Sequence, residues 1–158
     1  MVKEDFYIEK PHSMVMGEIP SSVMERFLIL LNLIGITGTV EGKTRFQKLI
    51  FLAQREFGLK AAYEFQKHHY GPYSFGLSDD LKTLEDWGYI RVETKYFETN
   101  ENDFLGKFFV YGLTDKGREF ISKNQKNDLL KPLEKVVSKW KEKSLGELIS
   151  YVYQNCTN

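Results

Sequence analysis

The sequence predicts an α+β protein that is mainly helical, with three helices, a two-stranded β-hairpin and then further helices. Apolar residues recur at helical spacing in the first half of the chain and again near its C-terminus. Between these regions lie two segments rich in β-branched and aromatic residues, and glycine or proline marks most junctions. We expect one domain, because 158 residues can bury a core without a metal or a disulfide.

The starts of the first two helices are predicted from a repeated pattern. Ser22 with Glu25, and Thr44 with Gln47, have the spacing of a capping box, in which each side chain satisfies the other residue's free backbone N–H. Apolar residues follow each box at helical spacing, and glycine ends each run. Residues 1–21 show no helical repeat, so we interpret them as an N-terminal arm.

A short strand or extended link is predicted before the third helix. Tyr63, Phe65 and Lys67 alternate with polar residues, and the segment is expected to end at a corner made by Gly71 and Pro72. The third helix follows, with Ser74 or Ser78 as its cap and Gly88 at its C-terminal end. Its apolar face is predicted to contain Leu77, Leu81 and Leu84.

The hairpin is predicted over residues 89–97 and 107–113, with a polar loop between the strands. Thr114 can cap a fourth helix. A fifth helix is expected near the C-terminus, where Pro132 is tolerable in a first turn, and Ser144 with Glu147 forms a capping box for a sixth. Three helices followed by a two-stranded wing predict a winged helix-turn-helix-like domain over residues 22–124. Residues 125–158 would form additional C-terminal helices that pack on it or provide a dimer interface.

Two resemblances support this fold. The segments "DDLKTLEDWGYIRVE" and "FVYGLTDKGREFI" resemble the third helix, wing and following helix of PadR- and MarR-like regulators, whose second wing strand leads into the pattern Y-x-L-T-x-x-G. Here the pattern falls on Tyr111, Leu113, Thr114 and Gly117. The segments "KTRFQKLIFLAQREFG", "HHYGPYS" and "LGELISYVY" more closely resemble YwgA-like proteins and, more distantly, SocA-like (Panacea) antitoxin-associated domains. The second resemblance implies contacts with other proteins.

Composition limits the classes of partner. Lys and Arg together equal Asp and Glu at 22 each, which excludes a globally basic nucleic-acid binder and leaves room for a local basic patch. The single cysteine, Cys156, allows no internal disulfide, so a reducing cytoplasmic location is the simplest expectation. The longest apolar run, residues 27–31, is too short to span a bilayer, and no signal-peptide pattern opens the chain, so we expect no membrane association.

The sequence offers little for catalysis or metal binding. His68 and His69 are adjacent, and side chains adjacent in an extended segment point to opposite faces, so they are poorly placed to chelate one ion. The "EGKT" segment has the tail of a phosphate-binding loop, but Thr37 stands where its first glycine should fall. We therefore expect no catalytic residue, no metal and no cofactor, and we predict that the protein is not an enzyme.

Two hypotheses about function remain open. The first is a transcriptional regulator that binds double-stranded DNA and contacts it through the basic residues Arg45, Lys48, Lys82, Arg91 and Lys95. The second is a protein-interaction or antitoxin-like adaptor module without DNA binding, acting on a protein partner or as a homodimer. Residues around the start of the third helix could contact an anion or a partner, or could simply pack beside the corner: His69, Tyr70, Tyr73 and Ser74.

Overall fold

The computed structural model describes residues 19–69, 71–98 and 105–156. The chain has an α+β fold, and about 60% of the described residues are helical. The described helices are α1 (Ser21–Thr37), α2 (Lys43–Glu56), α3 (Phe75–Asp86), α4 (Asp115–Lys123), α5 (Asn127–Trp140) and α6 (Leu145–Cys156). The described strands are β1 (Thr39–Glu41), β2 (Gln66–His68), β3 (Gly71–Tyr73), β4 (Ile90–Glu98) and β5 (Leu105–Leu113).

The main sheet is antiparallel and has the strand order β1-β5-β4. β4 and β5 pair over their full length, from Ile90 opposite Leu113 to Glu98 opposite Leu105, which confirms the predicted hairpin; β4 is shifted by one residue and β5 begins two residues earlier than predicted. The sequence analysis missed β1, which has only three residues and pairs with β5 through Val40 opposite Tyr111. Three residues are too few to show the alternation of apolar and polar side chains that predicts a strand. β1 can therefore be recognised only from its pairing with β5.

The core is centred on α1, whose residues from Phe27 to Ile34 are all buried. A helix that is buried on every side must be surrounded by other elements, and α3, α4 and α5 lie around α1, with the sheet at one end. α5 also packs against α2, and Leu133 and Val136 on α5 are fully buried. No helix in the described part of the chain combines the length and the apolar character needed to cross a membrane.

The two predicted N-terminal capping boxes of α1 and α2 are absent. α1 begins after Pro20 and α2 after Gly42, and neither helix has a side-chain cap. Glu25 instead binds Lys60 at 2.7 Å and Lys126 at 3.7 Å, while Gln47 exchanges two hydrogen bonds with the backbone of Ser74. Both side chains bind residues that are distant in the sequence, and the i, i+3 spacing of a capping box cannot predict such contacts.

The other predicted caps are confirmed. The Ser74 hydroxyl accepts a hydrogen bond from the backbone N–H of Leu77 at 3.1 Å, and Thr114 accepts one from Gly117 at 3.0 Å. Ser144 and Glu147 form the reciprocal capping box, with distances of 3.1 and 3.0 Å.

Two predictions around proline were wrong. Pro132 is not in a first turn, because α5 begins five residues earlier at Asn127. Gly71 and Pro72 do not form a corner but belong to β3, which pairs with β2 through His68 opposite Gly71. The observed strand β2 is therefore shorter than the predicted one and includes neither Tyr63 nor Phe65.

Candidate functional site

The residues predicted to contact DNA do not form one surface. Lys82 lies on α3 beside a cleft of about 370 Å³ that Val92 and Tyr111 also line. Because side chains alternate along a strand, Arg91 and Lys95 project from the face of the hairpin opposite to that of Val92. Arg45 donates a hydrogen bond to the carbonyl of Lys143, at the connection between α5 and α6. A duplex resting on Lys82 would therefore leave these three residues on other sides of the protein.

The exposed surface of α3 is acidic. Asp79, Glu85 and Asp86 are exposed and contribute three negative charges, against one positive charge from Lys82. The Lys82 ammonium is moreover paired with Asp86 at 3.0 Å. This helix would have to approach the phosphates in a DNA complex, so its negative charge disfavours DNA binding through α3.

Asp80 does not contribute to this surface. Its carboxylate is buried, where it accepts a hydrogen bond from the Tyr63 hydroxyl at 2.6 Å and forms an ion pair with Arg26 at 2.8 Å. Burial, followed by the Asp80 charge, raises the pKa of Tyr63 well above its usual value, so the phenol keeps its proton and donates it. This network links α1, the segment before β2 and α3.

Lys48 is buried, with 2% of its surface exposed. The end of its side chain fills the space beside Gly71, where an added Cβ atom would be 3.4 Å from Nζ. Within the described ranges, no carboxylate pairs with this ammonium. Burial lowers the pKa of Lys48 to about 8. A phosphate contact would require this side chain to leave the core, so the burial of Lys48 argues against its predicted contact with DNA.

Replacing Lys48 with methionine is expected to raise the free energy of unfolding by about 2 kcal/mol at pH 7, because a buried charge is exchanged for an apolar side chain of similar length. The folded pKa, about 8, is below the ordinary value of 10.5. The cost of burying the charge is therefore fully present below pH 8 and declines as the pH rises toward the unfolded value. Urea unfolding of both proteins from pH 7 to 10 should show the advantage of the variant shrinking, and a pH-independent difference would contradict this account.

The second predicted group, at the start of α3, is only partly brought together. Ser74 is 1% exposed and is fully engaged with Leu77 and Gln47, so it is not available to a ligand. Tyr70 lies outside the described residues. His69 and Tyr73 each contact the ring of His68, in a cluster that also includes Phe75; His68 and Phe75 were not in the predicted group.

This aromatic cluster, defined as His68, His69, Tyr73 and Phe75, lies on the β2–β3 hairpin and the first residue of α3. The rings of His68 and Tyr73 stack with centroids 4.6 Å apart, and Phe75 packs edge-on against Tyr73 at 5.0 Å. Phe75 is nevertheless 50% exposed, and both histidines are exposed. The two histidine rings contact each other at 4.8 Å, contrary to the expectation of opposite faces, because His69 lies in the turn and not in the strand.

Beside the aromatic cluster is a groove of about 490 Å³ between the hairpin, the second half of α2 and α6. We call it the hairpin groove. Phe51 and Phe65 meet edge to face at 5.2 Å on its wall, and the Arg55 guanidinium lies 5.9 Å from the Phe51 ring. Its lining residues are Phe51, Arg55, Phe65, Gln66, Lys67, His68, Gly71, Pro72, Tyr153 and Cys156.

The residues that line the hairpin groove carry charges of one sign, while Glu56 lies beside the groove, 3.8 Å from the Cys156 sulfur. Arg55 and Lys67 supply two positive charges, and no carboxylate is among the described lining residues. The Cys156 thiol lines the groove, but burial, together with the nearby Glu56 carboxylate, raises its pKa. The thiol is therefore protonated at neutral pH and is a poor nucleophile. The groove is equipped to bind an anionic group beside an apolar one.

A larger cavity, of about 650 Å³, lies between the end of α1, β1, the start of α2 and the end of α5. Its lining has Glu41 and Glu134 as well as Arg45 and Lys141, so its charges are mixed. Among the described residues, no group of three or more histidine, cysteine or acidic side chains is arranged to hold a metal ion.

Comparison with known proteins supplies no assignment. No protein-family model matches the chain, and no curated protein matches its sequence at a significant level.

Proposed function

We propose that this protein is a non-enzymatic, cytoplasmic interaction module on a winged-helix-like scaffold, and that it binds an acidic, aromatic-containing peptide segment of a partner protein. The binding site is the hairpin groove. The observation that carries the proposal is the combination in this groove of an aromatic wall, Phe51 and Phe65, with the two cations Arg55 and Lys67 and no described acidic lining residue.

Each part of the groove has a role in this proposal. A hydrophobic side chain of the peptide packs against the Phe51 and Phe65 rings, since aromatic surfaces contribute much of the binding energy at interfaces. The carboxylates of the peptide pair with Arg55 and Lys67. These ion pairs fix the position of the peptide along the groove and raise the association rate. Phe75 extends the apolar surface beyond the groove, because half of its area is open to solvent.

The winged-helix-like description rests on element order. A short strand between the first two helices, a third helix and a two-stranded hairpin that closes a three-stranded sheet are the parts of that fold. A winged-helix-like fold does not by itself imply that a protein binds DNA or regulates transcription. The acidic surface of α3 and the dispersion of the predicted basic residues favour the adaptor hypothesis, as does the resemblance to SocA-like domains.

The proposal is tested by selecting peptides on the immobilised protein from a random displayed library. We expect enrichment of sequences that combine Asp or Glu with an aromatic residue. A labelled selected peptide should then bind in a fluorescence-anisotropy titration, and the Arg55→Glu, Lys67→Glu double variant should weaken its binding by about tenfold or more, because two attractive charges become repulsive.

The matched control is Lys131→Glu, Lys135→Glu, which makes the same change in net charge on exposed positions of α5. This variant should bind the peptide almost as well as the unmodified protein. Equal losses in both variants would indicate a general charge effect and reject the groove. Salt-dependent binding of a duplex DNA, unaffected by the groove variant, would favour the regulator hypothesis instead.

A further inference from the structure

Among the described strands, β4 is an edge strand with one side unpaired. β5 is its one neighbour among the described strands, so the backbone groups on the other side of its nine residues have no described strand partner. The second half of β4 is exposed, and two large side chains there are open to solvent: Tyr96 at 66% and Phe97 at 48%. An edge of this length can template another strand unless its sequence prevents pairing.

The sequence of β4 is complementary to itself about Thr94. In an antiparallel pair of two copies related by a twofold axis through Thr94, residues at equal distances on either side of position 94 lie opposite each other. Glu93 then faces the second copy's Lys95, and Lys95 faces its Glu93. These two side chains already lie on one face of the strand, 3.8 Å apart.

The flanking positions match in the same register. Val92 lies opposite Tyr96, a β-branched and aromatic pair that is favourable across antiparallel strands. Arg91 lies opposite Phe97, but its guanidinium extends across β5, where it donates a hydrogen bond to the carbonyl of Leu113, so this pair adds no contact to the interface. All nine residues take part, from Ile90 opposite Glu98.

Neighbouring registers lack this match. With the axis at Glu93, two glutamates face each other and Arg91 faces Lys95. With the axis at Lys95, two lysines face each other. Like charges directly opposite oppose pairing. The charges that would normally protect an edge strand therefore permit full-length pairing only around Thr94.

We propose that two copies of this chain associate through their β4 edges, with a twofold axis at Thr94, to form a continuous six-stranded antiparallel sheet. The interface is formed by backbone hydrogen bonds and by two symmetric Glu93–Lys95 ion pairs. This surface is distinct from the hairpin groove, so the two sites can be tested separately.

The first test is a charge exchange, measured by sedimentation velocity over a wide concentration range at low salt. The unmodified protein should show a reversible dimer. Glu93→Lys alone or Lys95→Glu alone should weaken dimerisation by roughly tenfold to thirtyfold, because both ion pairs become like-charge contacts. The double variant with both changes should regain it, since the pairs are restored with the charges exchanged.

The second test locates the axis. In a Cys156→Ser background, cysteine at position 94 brings the two Cα atoms to about 4.5–5.5 Å, within the range for a disulfide. At positions 93 and 95 the equivalent atoms are about 8 Å apart, which is too far. Oxidation with glutathione disulfide should therefore cross-link Thr94→Cys and neither Glu93→Cys nor Lys95→Cys.

Several outcomes would overturn the proposal. A monomer at every concentration would do so, as would a dimer that is indifferent to both single charge reversals. Failure of the exchanged double variant to recover would indicate that the charges act by another route. Preferential cross-linking at 93 or 95 would reject this register.

Discussion

Gly117→Ala is expected to lower the free energy of unfolding by about 4 kcal/mol. Gly117 lies in the first turn of α4, where a methyl group would overlap the backbone carbonyl oxygen of Tyr89. A backbone atom cannot move aside as the end of a flexible side chain can. The change is measured by urea unfolding followed by circular dichroism.

The matched control is Gly35→Ala in α1. A methyl group there would be 3.5 Å from Leu113, an ordinary contact, and alanine favours the helix. This variant should be more stable by about 0.5–1 kcal/mol. If Gly117→Ala were equally harmless, the close approach of α4 to the segment before β4 would be wrong.

The same geometry explains the Y-x-L-T-x-x-G pattern. The Thr114 hydroxyl caps α4 at the N–H of Gly117 and donates a hydrogen bond to the carbonyl of Gly88 or of Tyr89. Thr114 thus connects the start of α4 to the segment that follows α3. Because Gly117 has no side chain, α4 can approach the carbonyl of Tyr89 in that segment. The pattern describes a local joint and carries no information about a ligand.

Asp80→Ala is expected to lower the free energy of unfolding by about 3 kcal/mol. The substitution removes the nearer acceptor of the buried Tyr63 hydroxyl, which keeps only a 3.4 Å contact with the carbonyl of Arg26, and it leaves the partly buried Arg26 guanidinium without its carboxylate. Desolvated polar groups left without partners account for most of this cost. Denaturant unfolding at neutral pH gives the value directly.

The neighbouring Asp79 provides the control, because it is exposed. Asp79→Ala should change stability by no more than about 0.5 kcal/mol. Tyr63→Phe removes one hydrogen bond and no charge, so about 1 kcal/mol is expected. Equal effects of the two aspartate substitutions would contradict a buried network at Asp80.

The candidate site could be predicted only in part. Local sequence placed His69 and Tyr73 near the start of α3 and anticipated the Ser74 cap. It could not place Phe51 or Arg55 beside them, since these residues come from α2 and meet the hairpin only through packing. Nor could it show that Lys48 is buried, because a lysine on a helix is usually exposed.

Sequence alone was sufficient to predict the α+β class, the paired strands β4 and β5 and the three caps made by Ser74, Thr114 and Ser144. These features depend on periodicity and on groups separated by a few residues. Which polar side chains are available to a partner depends on the tertiary structure. Gln47 and Asp80 belong to buried hydrogen-bond networks, because an unpaired polar group in the core costs free energy. Their partners are distant in the sequence, so local patterns could not predict these networks.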